Sequence, residues 1–577
     1  MNKTQFWIIL SIFIITVSCF KIYSGDVYWH IQLGKTMVQD LHYPDFTKYY
    51  FTPSNGRVVD TNTHWLGDIL LYFTYYLGGD YGLNLLRLLI VFGCCYLFYL
   101  IVKDRLTSYH LFILMMFVVG TYQKQVLRNS IFSFFFSVLL FYLWFQYRYE
   151  KRKYVAYIFV PFLNIWACIH GGFLFGWCML ALLFADDAVR NFKQAKTNFF
   201  YIVILVASFA TISLHNPYIY SYISLSKIKG IVSYKASSDN ISDGIKERLN
   251  QTVFKPGNVK SCDFASPFTR TNQPFVLVSM LFGIFGCIVV LSQRKYVLPL
   301  IGALIFGLGY LRGLGYICVT VTAISYVTTK TKNNKYFTIV PILLAFFMVA
   351  NVILEFPIKI GSAYHTFGFG RHPIFNDKNA SLCLWDKDLR YSNTFTTIAN
   401  GGYLLNKWYP YKKVFIDGFF APHKSDVMKT YTDVKFGNIS VDELYDRYNV
   451  TSALVELKNG TTNTNFLNSN RWIPRSIDTG SILYVFLNSF FKHTKPVSLL
   501  ITEKEFAALP KKEQADLINY TYLIAINLYR KGYKAQAVDF IINNKEFFKK
   551  HMDLADAVLK NKMIQIRFAR EEACYGK

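Results

Sequence analysis

An acid, an indole and an imidazole stand close together at Ser24-Gly25-Asp26-Val27-Tyr28-Trp29-His30, directly after the first apolar run of the chain. Asp26 and His30 are four residues apart and share one face if the segment is helical. A carboxylate so placed can take a proton from a hydroxyl or bind a divalent ion, and the imidazole beside it can orient that acid or touch a phosphate. The competing structural role is an aspartate that caps an interfacial helix next to a belt tryptophan.

Further groups of the same kind follow. Asp60, His64 and Asp68 surround Trp65, and His64 and Asp68 again have the spacing of one helical face, with Leu66, Leu70 and Leu71 suited to rest on a membrane. For Asp68 that spacing fits interfacial anchoring as well as chemistry. Arg128 and Arg312 each sit at the edge of an apolar run, where an arginine either grips an anion bidentately or snorkels to the headgroups. At His170-Gly171-Gly172 the two glycines allow a sharp turn and close helix approach, which leaves the imidazole facing a cavity or bonded to a backbone carbonyl. The expected assignment is Asp26, His30 and His64 as catalytic residues, with Arg128, His170 and Arg312 holding a phosphate. No motif supplies a phosphate-cradling lysine loop or a dinucleotide glycine signature. No organic cofactor is therefore expected, and a divalent metal at Asp26 is the one inorganic group left open.

The elements that must carry these residues are mostly apolar. The 577 residues are 53% hydrophobic, 18% aromatic and 17% charged, and long apolar runs extend from the N-terminus to about Glu355. This composition predicts a polytopic α-helical membrane protein followed by a polar region. The first run, Phe6 to Phe20, lacks a small-residue cleavage pattern and reads as an uncleaved helix. The formal charge of +26 gathers in short loops between apolar runs, the pattern of positive-inside orientation, so no nucleic-acid partner is expected.

Basic clusters at Lys103/Arg105, Arg148 to Lys153, Arg190 to Lys196, Arg294/Lys295 and Lys330 to Lys335 all read as cytoplasmic. Each stretch between them then holds an even number of crossings, which predicts about 11 transmembrane helices, the N-terminus inside and the C-terminal region outside. The same parity makes Trp65 to Leu77 a helix along the interface and Leu83 to Val102 the second span. Residues 1–356 form the membrane module, with outer loops at 23–64 and 215–272. Residues 357–497 are expected to form an extracytoplasmic α/β domain, with strands at Ala380 to Leu384, Lys413 to Ile416, Ser452 to Leu457 and Ser481 to Phe486, and helices at Asp426 to Tyr431 and Val441 to Tyr448. Residues 498–577 form a short helical, tetratricopeptide-like tail, Gln514 to Lys531, Lys534 to Asn543 and Met552 to Ala569, with Gly532 as a turn.

Gly25-Asp26, Trp29-His30, Gly34, Pro44-Asp45 and Thr61 to Leu66 together resemble the first outer loop of bacterial membrane proteins related to the GT-C glycosyltransferases, which include the protein O-mannosyltransferases and the aminoarabinose transferases of lipid A. The resemblance runs on through Arg128, Trp166, His170-Gly171-Gly172, Asn216-Pro217, Ala265-Ser266-Pro267 and Arg312. It continues at Gly401-Gly402-Tyr403-Leu404, Pro410, Lys413 to Gly418 and Tyr448, so it spans about residues 20 to 490. The resemblance implies a GT-C-like fold, a first-loop acid as base or metal-associated group, a polyprenyl-phosphate-linked sugar as donor, and a glycan, lipid or protein acceptor outside the membrane. Asp26 is the matching acid. Many GT-C enzymes carry two neighbouring acids in this loop, whereas this sequence has one, with Asp45 or Asp60 as the remaining choices.

The function expected on these grounds is sugar transfer at the outer face of a bacterial inner membrane, with membrane lipids around the spans. Two rivals stand beside it. One is a non-catalytic assembly or scaffold protein that keeps the fold and meets a protein partner through its helical tail. The other is a transporter, whose inverted repeats and interrupted helices are not evident.

Overall fold

The computed structural model describes residues 2–42, 44–54, 64–192, 194–215, 274–293, 295–309, 313–328, 335–353, 358–360, 363–375, 377–419, 423–487, 497–509 and 511–554. The chain divides into two compact units. The first takes the described residues up to 42 and from 64 to 370; the second takes 44–54 and those from 371 onward.

The first unit is helical: α1 (Lys3–Ser18), α2 (Asp26–Asp40), α3 (Trp65–Val102), α4 (Ser108–Gly120), α5 (Ser130–Arg148), α6 (Val155–Ile169), α7 (Phe173–Arg190), α8 (Ala195–His215), α9 (Pro274–Gln293), α10 (Val297–Gly309), α11 (Leu314–Thr328) and α12 (Lys335–Ile353), followed by the antiparallel pair β1 (Ile358–Ile360) and β2 (Ala363–His365). Helix α5 shows why such segments pack. Its buried Ile131, Phe134, Val138, Phe141 and Phe145 recur at alternating spacings of three and four, which lays one apolar stripe along the helix. Helix α11 has no such stripe, because every residue from Leu314 to Tyr326 is buried. It is the central helix, packed on α4, α5, α9 and α10.

The expected polytopic fold with about 11 transmembrane helices is corrected by helix length. Among the described residues three helices are long and apolar enough to cross a membrane: Trp65–Val102, Ser130–Arg148 and Lys196–Leu214. Other apolar runs form helices of 10–17 residues, such as Lys3–Ser18, Ser108–Gly120 and Val155–Ile169. At about 1.5 Å per residue these fall short of a ~30 Å hydrocarbon core. Apolar composition alone does not mark where each helix stops. Helix α3 contains both the expected interfacial segment and the expected second span, and the backbone breaks between them at Gly79 (φ 54°, ψ −145°).

Two arginines read as orientation signals are engaged in ion pairs. Arg148 Nε lies 2.6 Å from Asp187 and Arg190 Nη2 lies 2.8 Å from Asp186. Tyr201 also donates to Asp187, at 2.7 Å. These bonds satisfy two carboxylates buried near the end of α7.

The second unit is built on an open, mixed five-stranded sheet of order β3-β4-β6-β5-β7, where β3 is Asn393–Phe395, β4 Val450–Glu456, β5 Trp472–Ile477, β6 Ser481–Phe486 and β7 Ser498–Leu499. Strand β3 runs parallel to β4, and β6 is antiparallel to both β4 and β5. Helices α13 (Asp377–Trp385), α14 (Ile398–Trp408), α15 (Ser425–Phe436), α16 (Glu443–Tyr448), α17 (Gly460–Asn468) and α18 (Glu503–Ala507) accompany the sheet, followed by α19 (Lys511–Arg530), α20 (Lys534–Asn543) and α21 (Lys545–Lys550).

Two expected strands need correction here. Ala380 to Leu384 is helical, with Ala380, Cys383 and Leu384 turned inward. Lys413 to Ile416 is not a strand of the sheet; Val414 makes an isolated bridge with Tyr50. Gly532 has φ +86° and turns the chain between α19 and α20, a conformation that costs glycine nothing. The expected third tail helix, Met552 to Ala569, lies outside the described residues beyond Leu554.

Candidate functional site

The site lies in the first unit, where four stretches distant in sequence converge. Helix α2 brings Asp26 and His30, the start of α3 brings His64 and Asp68, the turn before α5 brings Arg128 and Asn129, and the α6–α7 corner brings His170. Close backbone approach makes this possible. A Cβ at Gly34 would stand 2.2 Å from the Asp68 carbonyl oxygen, and one at Gly67 would stand 2.6 Å from that of Ile169. Only glycine lets α2 and the α6 end meet α3 this tightly. Buried Arg87 supports the turn before α2: it donates to the carbonyls of Ser18 and Phe20, and its guanidinium lies 3.7 Å from the Phe20 ring centre.

Asp26 is the first residue of α2, where the helix dipole favours a carboxylate, and the capping position belongs to Gly25. Its Oδ2 lies 3.5 Å from Arg128 Nη1, with the two side chains 33% and 14% exposed. One turn further, His30 Nδ1 lies 2.6 Å from Oδ1 of Asp68, whose side chain is wholly buried. Asn129 donates to the same Asp68 oxygen at 2.6 Å. A carboxylate only accepts, so the Nδ1 hydrogen of His30 points at Asp68, which leaves Nε2 as the basic nitrogen of the neutral ring. The 3.0 Å approach of the Asn129 amide to His30 Nδ1 is then a close contact between two hydrogen-bearing atoms.

His170 is held differently. Its Nδ1 accepts from the Gly172 backbone N–H at 2.9 Å and from Ser133 Oγ at 2.8 Å, while Ser133 accepts from Trp166 Nε1 at 2.7 Å. The remaining ring hydrogen therefore sits on Nε2, a donor suited to an anionic oxygen. The His64 ring stacks on that of His170 with centroids 4.9 Å apart and stands 6.4 Å from that of His30. Burial pushes the His64 imidazole down to about 4, with the Asp68 charge opposing that shift. Burial thus favours the neutral His64 ring.

Five of the six residues singled out in the sequence, Asp26, His30, His64, Arg128 and His170, come together here. Arg312, Asp60, Asn216-Pro217 and Ala265 to Pro267 lie outside the described residues. Asp45 is occupied locally, accepting from the Thr47 N–H at 3.0 Å and its hydroxyl at 2.8 Å. Two further acids touch the first-loop motif: Asp68, whose helical spacing from His64 fits membrane anchoring equally well, lies against His30, and Asp80 accepts from Tyr28 at 2.8 Å. Asn129 and Ser133 were missed. The available signal was a pair of polar residues four apart entering an aromatic helix. Among the described residues no three His, Cys, Asp or Glu side chains gather as a metal-ligand set.

No protein-family model matches the chain, and no curated protein matches it. Among solved structures, the Archaeoglobus fulgidus oligosaccharyltransferase in its apo form is similar with a TM-score of 0.47 and 10% identity, over 84% of this chain and 74% of that one. The same archaeal enzyme in complex with Zn and sulfate gives a TM-score of 0.46 and 12% identity, over 94% of this chain and 86% of that one. At that identity and overlap the likeness assigns no residue and no substrate.

Proposed function

We propose that the chain is a membrane glycosyltransferase that moves a sugar from a polyprenyl-phosphate donor to an extracytoplasmic acceptor hydroxyl. The observation that carries this reading is the convergence of Asp26, Arg128, His30, Asp68, His64 and His170 in one place, from stretches up to 144 residues apart in the sequence. The first-loop resemblance supports the choice of a lipid-linked sugar. Asp26 removes the acceptor proton as the hydroxyl oxygen attacks the anomeric carbon. The bond from that carbon to the phosphate oxygen breaks, with inversion, and the polyprenyl phosphate leaves with the electron pair. Arg128 and the Nε2–H of His170 hold the departing phosphate. The 3.5 Å Asp26–Arg128 contact is loose, so an arriving phosphate takes the guanidinium and frees the carboxylate. Asp68 and Asn129 set His30, which positions Asp26 one helical turn above it.

The setting of this reading is the inner membrane of a bacterium, with residues 357–497 selecting the acceptor and the tail at 498–577 meeting a protein partner. The test is purified protein in lipid nanodiscs, given a panel of polyprenyl-phosphate sugars and scored for donor hydrolysis or transfer. Asp26→Asn is expected to lower turnover by about 10²–10⁴-fold with donor binding kept. Turnover that survives in Asp26→Asn removes the base, and a protein that neither binds nor consumes any donor is the scaffold instead.

A further inference from the structure

The second unit contains a cavity of about 880 Å³ that the transfer chemistry does not use. Its size falls in the ~300–1,000 Å³ range of small-molecule clefts. Phe51, Tyr445 and Tyr448 line it together with the polar groups of Asp426, Arg447 and Asn449. The aromatic rings are braced from behind. Tyr445 stacks on Phe486 at 4.2 Å, Tyr448 meets Phe415 edge-on at 5.3 Å, and Phe51 lies 5.9 Å from the same Phe415. Asn449 has φ +50° at the end of α16, and its N–H is bonded to the Tyr445 carbonyl at 2.8 Å. Burial, with the Asp426 charge adding to it, raises the Tyr448 phenol, which therefore remains an O–H donor.

The charges around the cavity are largely matched. Arg447 pairs with Glu443, and Asp446, also on the wall, lies 3.8 Å from Arg471. An anion would meet the carboxylates of Asp426 and Asp446 beside an already paired Arg447, which leaves Asp426 as a charged acceptor for a ligand. A neutral polyol gains both donors and acceptors, with flat apolar surface for its C–H faces. From this combination we infer that the cavity is a binding site for a neutral saccharide. Binding here does not depend on that transfer reading.

The experiment titrates full-length protein in nanodiscs with neutral di- to tetrasaccharides of hexose and N-acetylhexosamine, read by saturation-transfer NMR and calorimetry, with oligolysine as the cationic comparator. Millimolar or tighter saccharide binding is expected, weakened about tenfold by Asp426→Ala, which removes a charged acceptor. Asn449→Gly, which suits the left-handed backbone, is expected to weaken it similarly while preserving the fold. Asp26→Asn protein that has lost turnover yet still binds saccharide separates this site from the transfer reaction. Absence of binding by the whole panel, preference for oligolysine, or wild-type affinity in both cavity variants overturns the inference.

Discussion

Replacing Gly34 by alanine disturbs the candidate site without altering any of its functional groups. The added Cβ would stand 2.2 Å from the Asp68 carbonyl oxygen, 2.6 Å from its carbonyl carbon and 2.9 Å from Tyr72 Cβ. The first two neighbours are backbone and cannot rotate away. Ordinary contact begins at 3.4 Å, so α2 and the start of α3 must part by about 1.2 Å. A separation of that size carries the 2.6 Å His30–Asp68 bond beyond hydrogen-bond range. Overpacking of this kind costs about 1–3 kcal/mol, and the strained pair adds to it. Gly78→Ala is the matched control, because nothing lies within 4 Å of its added Cβ. There alanine should be neutral or stabilising by up to ~1 kcal/mol. The assay is thermal unfolding of both variants in nanodiscs, paired with donor turnover. Gly34→Ala should unfold at lower temperature and lose at least tenfold in turnover, while Gly78→Ala does neither. If the two variants behave alike, the close α2–α3 approach does not hold the site.

Two further outcomes follow from the structure. Ser133→Ala removes the hydroxyl between Trp166 and His170 and leaves a buried indole N–H without its acceptor, so stability should fall by about 1–3 kcal/mol. An unchanged unfolding midpoint, together with unchanged donor affinity, would show that His170 is oriented by Gly172 alone. In the second unit, burial pushes the Glu513 carboxyl up to about 7 from an ordinary 4.5. The folded state then holds its proton where the unfolded state has released it, so stability should decline as pH rises from about 4.5 to 7, by on the order of 2–3 kcal/mol. Glu513→Gln should flatten that slope in denaturant titrations of the full chain and raise stability at pH 8. A slope unchanged in Glu513→Gln would assign it to another group.

Residue types and local spacing were enough to nominate Asp26, His30, His64, Arg128 and His170, because an ionisable group beside an apolar run has few inexpensive reasons to be there. Local patterning also located β4 and β6, the turn at Gly532 and the division of α3 near Gly79. Alternation and turn chemistry act over a few residues and leave their mark in the chain. Helix length did not show in the same way: hydrophobicity persists past the residue where the backbone stops being helical, and the count of about eleven spans failed for that reason.

What only the tertiary structure decided was pairing. Asp68 reads as an anchor until α2 is seen against α3, and Asn129 and Ser133 read as ordinary polar residues until they bond Asp68 and His170. The Asp26 motif has one acid in sequence, and the carboxylate against its His30 comes from a different helix, 38 residues further on than His30. That contact exists because Gly34 removes the side chain that would hold α2 and α3 apart, as Gly67 does between α3 and the end of α6. Such complementarity between distant surfaces is a property of packing, and no window of the sequence contains it.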